Sequence, residues 1–244
     1  MNQYRCIALV WPRLLQPAKV AWMALSFWVS MLTPGFVARA DEPDPILERW
    51  LVAQKDLTSW SSDFVQIRYL KALTQPLRAS GHLWFEAPNR FRWELGNPVQ
   101  SVALRKDENL WILSPQLKRA ERYSLNELQK GPIRDALALL DTGFPRDAAE
   151  FRRGFSLIRL TTAGGIHVFH LQPKASAVKR LLPDLTVEVS AENFSLTATE
   201  LIFADGSRLR NEFTQGVKNP KLPADWFNPG TNSTWKISEP MKPK

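Results

Sequence analysis

The feature that most constrains this chain is a series of short runs in which apolar and charged residues alternate, each closed by a turn signal. The clearest is Arg90-Phe-Arg-Trp-Glu-Leu95, with Phe91, Trp93 and Leu95 on one side and Arg90, Arg92 and Glu94 on the other. A period of two belongs to a β-strand with one face buried. Further runs fall at 63–70, 78–86, 100–105 and 110–113, then at 155–161, 166–171, 185–189, 197–204 and 208–213. Ala87-Pro88-Asn89, Gly96-Asn97-Pro98, Gly164-Gly165 and Asp205-Gly206 separate them as turns. Leu83 and Phe85 share a parity, as do Val102 and Leu104, so one side of the sheet is expected to be apolar and aromatic.

Helical spacing is confined to a few places. Asp44-Pro45 opens a helix over 46–57, with Ile46, Leu47, Trp50, Leu51 and Leu57 near helical intervals. Gly131-Pro132 precedes Ile133, Leu137 and Leu140, which predicts a second helix with proline in its first turn. A short helical piece is expected at 148–151. Three modest helices are few against about ten strands, so the sheet must either close on itself or curve around a cavity that the helices cover.

Residues 1–40 have the form of a cleavable export signal. Arg5, Arg13 and Lys19 supply positive charge, and residues 20–29 form an apolar stretch that continues through Met31 and Leu32. Pro34-Gly35 breaks it, and Ala38-Arg39-Ala40 supplies small residues before a cut at Asp41. The stretch is too interrupted for a membrane span of about 20 apolar residues. The one cysteine, Cys6, leaves with this segment, so neither a disulfide framework nor an acylation site remains. Loss of the four basic residues in 1–40 lowers the net charge from +8 to +4, which gives no reason to expect a nucleic-acid partner. Residues 41–236 are expected to form the working domain, and 237–244 a disordered tail.

Catalytic constellations are missing from the pattern. His82, His167 and His170 are the three histidines, and His167 and His170 fall on opposite faces of one predicted strand. No G-x-S-x-G, H-E-x-x-H or phosphate-loop motif occurs. No enzymatic role, metal or cofactor is expected.

The run Gly81-His-Leu-Trp-Phe-Glu-Ala-Pro-Asn-Arg-Phe-Arg-Trp93 resembles the strand–turn–strand signature of the outer-membrane lipoprotein carrier family, LolA. Phe64-x-Gln66, Asn109-Leu-Trp111, Leu201-Ile-Phe-Ala-Asp-Gly206 and Trp226-Phe227-Asn228-Pro229 follow the same pattern in order. The resemblance implies a mainly β fold: a curved antiparallel sheet forming an unclosed β-barrel, with a helical lid over an apolar cavity. It also implies a periplasmic, monomeric shuttle. Such a protein takes acylated lipoproteins from an inner-membrane lipoprotein exporter and passes them to an outer-membrane lipoprotein receptor.

Strand parity and the resemblance together nominate Phe91 and Trp93 as cavity-lining residues. Leu83, Phe85, Val102, Leu104, Trp111 and Leu113 are expected around them, with Leu137 and Leu140 as lid contacts. Phe64 is undecided, because the Val65, Ile67 and Tyr69 face of its strand is equally apolar. The chain departs from the family at Ala87, where many carriers have arginine before the turn proline, and Arg90 and Arg92 lie on the wrong parity to replace it. Two alternatives stay open: a related half-barrel that senses or binds lipid for regulation, or a carrier dedicated to another lipid-like product. An enzyme acting on lipid or glycan is the remaining alternative, without a polar constellation to support it.

Overall fold

The alternating runs do form strands, and they pair into one twelve-stranded sheet. The computed structural model describes residues 44–126, 145, 148–223 and 225–240. Its strands are β1 (Ser59–Tyr69), β2 (Leu77–Glu86), β3 (Arg90–Leu95), β4 (Ser101–Lys106), β5 (Asn109–Ser114) and β6 (Arg119–Ser124). After these come β7 (Phe155–Ala163), β8 (Ile166–Pro173), β9 (Asp184–Ser190), β10 (Leu196–Ile202), β11 (Arg208–Lys218) and β12 (Lys236–Ser238). The spatial order is β12-β6-β5-β4-β3-β2-β1-β11-β10-β9-β8-β7. Two antiparallel meanders are thus joined where β1 meets β11, and among the described strands β12 alone pairs in parallel, with β6. β7 and β12 remain as separate edges, so the barrel is unclosed.

Helix α1 (Pro45–Ala53) begins where the sequence places it. The Asp44 carboxylate accepts from the Ile46 and Leu47 amides at 2.8 and 3.3 Å, capping two amides that the first turn leaves unpaired. Leu47, Trp50 and Leu51 form its buried stripe. Trp50 stacks on Phe169 of β8 at 4.7 Å between centroids and meets the edge of Phe151 at 5.6 Å. Phe151 belongs to α2 (Ala148–Gly154), and Arg152 of that helix pairs with Glu48 of α1. Both helices therefore lie on the face of the sheet to which Phe169 points. This is the inner face. Burial along β8 alternates strictly, with His167, Phe169, Leu171 and Pro173 buried and the residues between them half-exposed.

The opposite, outer face carries charge where β1, β9, β10 and β11 meet. Arg210 donates to Glu188 at 2.6 and 3.1 Å and to Glu212 at 2.9 Å. The hydrogen bond that Arg210 donates to Glu188 raises its pKa above the ordinary value, with partial burial opposing it and Glu212 adding to it.

Three differences from the sequence reading have physical causes. β6 was not expected, because Arg119-Ala-Glu-Arg-Tyr-Ser124 buries only Ala120 and Tyr123. Those two are three apart and face opposite ways, so they give no period-two signal. Helix α3 (Ser176–Leu181) forms in what reads as a polar connection. The tail does not begin at 237: Ile237 and Ser238 lie in β12, paired with Ala120 and Glu121 of β6. Arg122 anchors that strand through an ion pair with Glu239. The helix expected around 133–140, with Leu137 and Leu140, and the export segment 1–40 lie outside the described residues.

The C-terminal segment does more than extend an edge. Trp235 packs on a buried cluster of Val102, Leu104, Leu113 and Ala120, joined by Val99 and Trp111. Nearer β2, Trp226 meets Trp84 edge-on at 5.2 Å, and its carbonyl accepts from Arg92 at 3.3 Å. The segment thus covers the outer face from β2 to β6. Leu104, fully buried there, should cost about 2–5 kcal/mol when replaced by alanine, measured by urea unfolding. An unchanged midpoint would show that this layer contributes little to stability.

Candidate ligand-binding face

Cross-strand register decides which side chains share a face, because directly paired residues in antiparallel strands point the same way. Phe85 pairs with Phe91 and Leu83 with Trp93 across β2 and β3. Trp60 pairs with Phe85, Ser62 with Leu83 and Phe64 with Gly81 across β1 and β2. Phe64 also pairs with Phe213 of β11. This connected set belongs to the inner face, since the register carries on through Asn211, Thr199 and Val187 to Phe169.

Its centre is an aromatic cluster. Phe64 meets Trp93 at 4.4 Å and Phe213 at 6.0 Å between centroids, and Trp60 meets Phe213 at 5.3 Å. Such rings attract beyond their buried area when tilted or edge-on, as here. Gly81 makes the cluster possible. A Cβ at that position would overlap both the Phe64 ring and the Glu94 carbonyl oxygen, so the ring lies across β2 only because position 81 has no side chain.

Leu83, Phe85 and Phe91 are buried, whereas Trp93 is half-buried, as are its inner-face neighbours Ala103 and Ile112. α1 and α2 cover the β8 region of the inner face, whereas at the other end, over β3 to β5, Trp93, Ala103 and Ile112 are only half-buried.

Val102, Leu104, Trp111 and Leu113 are not part of this face. Val102 pairs with Glu94 and Leu104 with Arg92, on the charged parity of β3. Leu113 pairs with Val102 and Trp111 with Leu104, which carries the same side onto β5. These four line the outer face beneath Trp235 and cannot surround Phe91 and Trp93. Their places on the inner face are taken by Ala103, Arg105, Leu110 and Ile112.

Polar groups also reach the inner face. Arg105 pairs with Phe91 and is half-buried, whereas Arg90 and Arg92 face outward as expected, engaged with Glu86 and Glu94. Arg68 shares the parity of Phe64, and desolvation by burial lowers its pKa. Gln66, between them, donates to Asn211 at 3.2 Å.

The histidines hold structural positions. His167 is buried, bonded to Thr162 at 2.7 Å, while His170 contacts Arg159 across the opposite face at 3.0 Å. His82 bridges Asp63 at 2.6 Å and Ser61 at 2.7 Å on the outer face. The residue types are those of a hydrolytic relay, but Asp63 is 53% exposed, unlike the buried carboxylate that orients the histidine of such a relay. The bridge ties β1 to β2.

Phe64, Trp60, Phe213, Arg105 and the Gln66 row are inner-face residues that sequence parity did not single out. For Phe64 a signal existed in Gly81 itself, since a glycine inside a strand marks a close approach. Gly81→Ala should therefore lower stability by about 1–3 kcal/mol and alter the fluorescence environment of Trp93, read by denaturant titration and emission spectra. Unchanged emission and stability would show that the Phe64 ring does not depend on Gly81.

Residues 55–230 match the family model described as outer membrane lipoprotein carrier protein LolA. The outer-membrane lipoprotein carrier protein of Methylibium petroleiphilum is 27% identical over 149 residues, covering 61% of this chain and 67% of that protein. The protein of the same description from Legionella pneumophila is 27% identical over 156 residues, covering 62% and 68%. Among solved structures, a LolA superfamily protein from Nitrosomonas europaea aligns over 76% of this chain and 95% of its own, with 14% identity and a TM-score of 0.39. With most of its described strands inside the matched span, the chain belongs to the outer-membrane lipoprotein carrier family, LolA.

Proposed function

We propose that this protein is a periplasmic carrier that holds the acyl chains of lipoproteins against its inner face. It receives them from an inner-membrane exporter and delivers them to an outer-membrane receptor. The observation that carries the reading is the aromatic inner face of an unclosed sheet, buried at Phe64 and Phe91 but half-exposed at Trp93. A largely apolar floor that leaves Trp93 partly uncovered suits a flexible hydrocarbon ligand. Family membership and the export form of residues 1–40 support the same reading. Among the described residues, no helix is long and apolar enough to cross a membrane.

Energetics then dictate how such a carrier works. Burial is worth about 0.8 kcal/mol per methylene, so one long acyl chain contributes roughly 10 kcal/mol. Release into water is correspondingly slow, and delivery requires a receptor with an apolar site of its own. The acyl chain should contact Phe91, Trp93, Leu83 and Phe85, together with Ile112 and Ala103. The outer-face residues Val102, Leu104, Trp111 and Leu113 should not touch it.

Phe91→Glu and Trp93→Glu are expected to weaken binding of a palmitoylated lipopeptide at least tenfold, by fluorescence titration against wild type. Arg90→Gln, on the outer parity of the same strand, should leave binding unchanged. Full affinity in both glutamate variants would remove the inner face as the acyl site. Mass spectrometry of material that co-purifies from the native periplasm should find acylated lipoproteins; free lipid alone would contradict the lipoprotein cargo.

A further inference from the structure

An apolar floor for hydrocarbon has no need of amide side chains, yet three polar residues cross this one in a row. Gln66 of β1, Asn211 of β11 and Thr199 of β10 are register partners on the inner face. Gln66 Nε2 donates to Asn211 Oδ1 at 3.2 Å, and Asn211 Nδ2 donates to Thr199 Oγ1 at 3.2 Å. Gln66 is only 4% exposed and Asn211 only 5%. The row ends without a partner, because Gln66 Oε1 is buried and accepts no hydrogen bond.

That end stays open however the amides are turned. With both amides reversed, Thr199 donates to Asn211 and Asn211 donates to Gln66, which leaves the Gln66 amide nitrogen unpaired instead. A buried polar atom without a partner costs about 1–3 kcal/mol, a burden that a protein relieves when a ligand supplies the missing group. On the other side of Gln66 in the register stands Ala79, whose short side chain brings no polar group to it. Along β1, Gln66 lies two residues from Phe64, about 7 Å at the rise of a strand. The aromatic cluster and the unpaired amide therefore sit side by side on one face.

We infer that the Gln66–Asn211–Thr199 row is a polar station for the amide linkage of an acylated ligand. The inference rests on the acyl-carrier reading and deepens it: the face selects acyl groups over bare hydrocarbon. Hydrocarbon lies over Phe64 and Trp93, and the linkage that joins it to the head group completes the hydrogen bonding of Gln66. An amide linkage offers both an N–H and a carbonyl, so it satisfies Gln66 in either amide orientation. An ether oxygen only accepts, and more weakly than a carbonyl, so it serves one orientation at most; an alkane serves neither.

Two probes of similar length separate these alternatives: N-ethylpalmitamide, and ethyl hexadecyl ether, which lacks the carbonyl and the N–H. Both are titrated into the full mature chain by displacement of an environment-sensitive dye. Wild type should prefer the amide about tenfold or more. Gln66→Met, close in length and without hydrogen-bonding capacity, should reduce that preference to about twofold or less while binding the ether at least as well as wild type. A wild type without preference, or a Gln66→Met variant that retains it or loses both probes equally, overturns the station and leaves the carrier reading intact. A wild type that binds neither probe overturns both. Should Gln66→Met fail to fold, the infrared amide bands of 13C-labelled N-ethylpalmitamide on wild type decide the matter. Bands shifted from their position in hydrocarbon solvent support the station, and unshifted bands overturn it.

Discussion

A sheet that is apolar on both faces must cover each by a different means, and this constraint organises the β2 to β6 region. On the outer face, Val102, Leu104, Leu113 and Ala120 are sealed by Trp235 and the C-terminal segment. On the inner face, the rings of Phe64, Trp93 and Phe213 pack on one another and leave Trp93 half-exposed. Hydrophobic burial on one side stabilises the wall. That leaves the other side able to keep apolar surface partly uncovered without surrendering the fold. The C-terminal segment, a strap over the outer face, is thus what allows the inner face to remain incompletely covered.

The two halves of the inner face divide the work in a related way. Around β8, Trp50 and Phe151 fill the space above Phe169, and α1 is fixed by its Asp44 cap and its ion pair to α2. Around β3 to β5, smaller or polar side chains such as Ala103 and Arg105 take the corresponding positions. Packing is dense where the helices dock, and looser around Trp93, which is only half-buried. Between them lies the Gln66 row, which interrupts the apolar lining where β1 joins the two meanders.

Much of this was legible in the sequence. β3 was expected over 90–95, and its observed limits are Arg90–Leu95, because strict alternation and two turn signals bound it on both sides. α1 starts as expected because Asp44 and Pro45 satisfy the requirements of a first turn locally. The faces were harder. Period two shows which residues of one strand share a side, but it does not show how that side continues across a turn. The loop between Leu95 and Ser101 sets Val102 opposite Glu94 rather than beside Trp93, and four expected lining residues move to the outer face as a result. Their apolar character was read correctly; its partner, Trp235, lies more than 120 residues further on, beyond any local pattern.

The central claim is that acyl chains occupy the inner face and leave the outer one to the strap. A lipopeptide carrying a photoactivatable diazirine in its acyl chain tests it most directly, with adducts mapped by mass spectrometry. Adducts should fall on inner-face residues of β2 to β5, at or beside Trp93, Ala103 and Ile112. Adducts concentrated on Leu104, Trp111 or Trp235 would contradict the account.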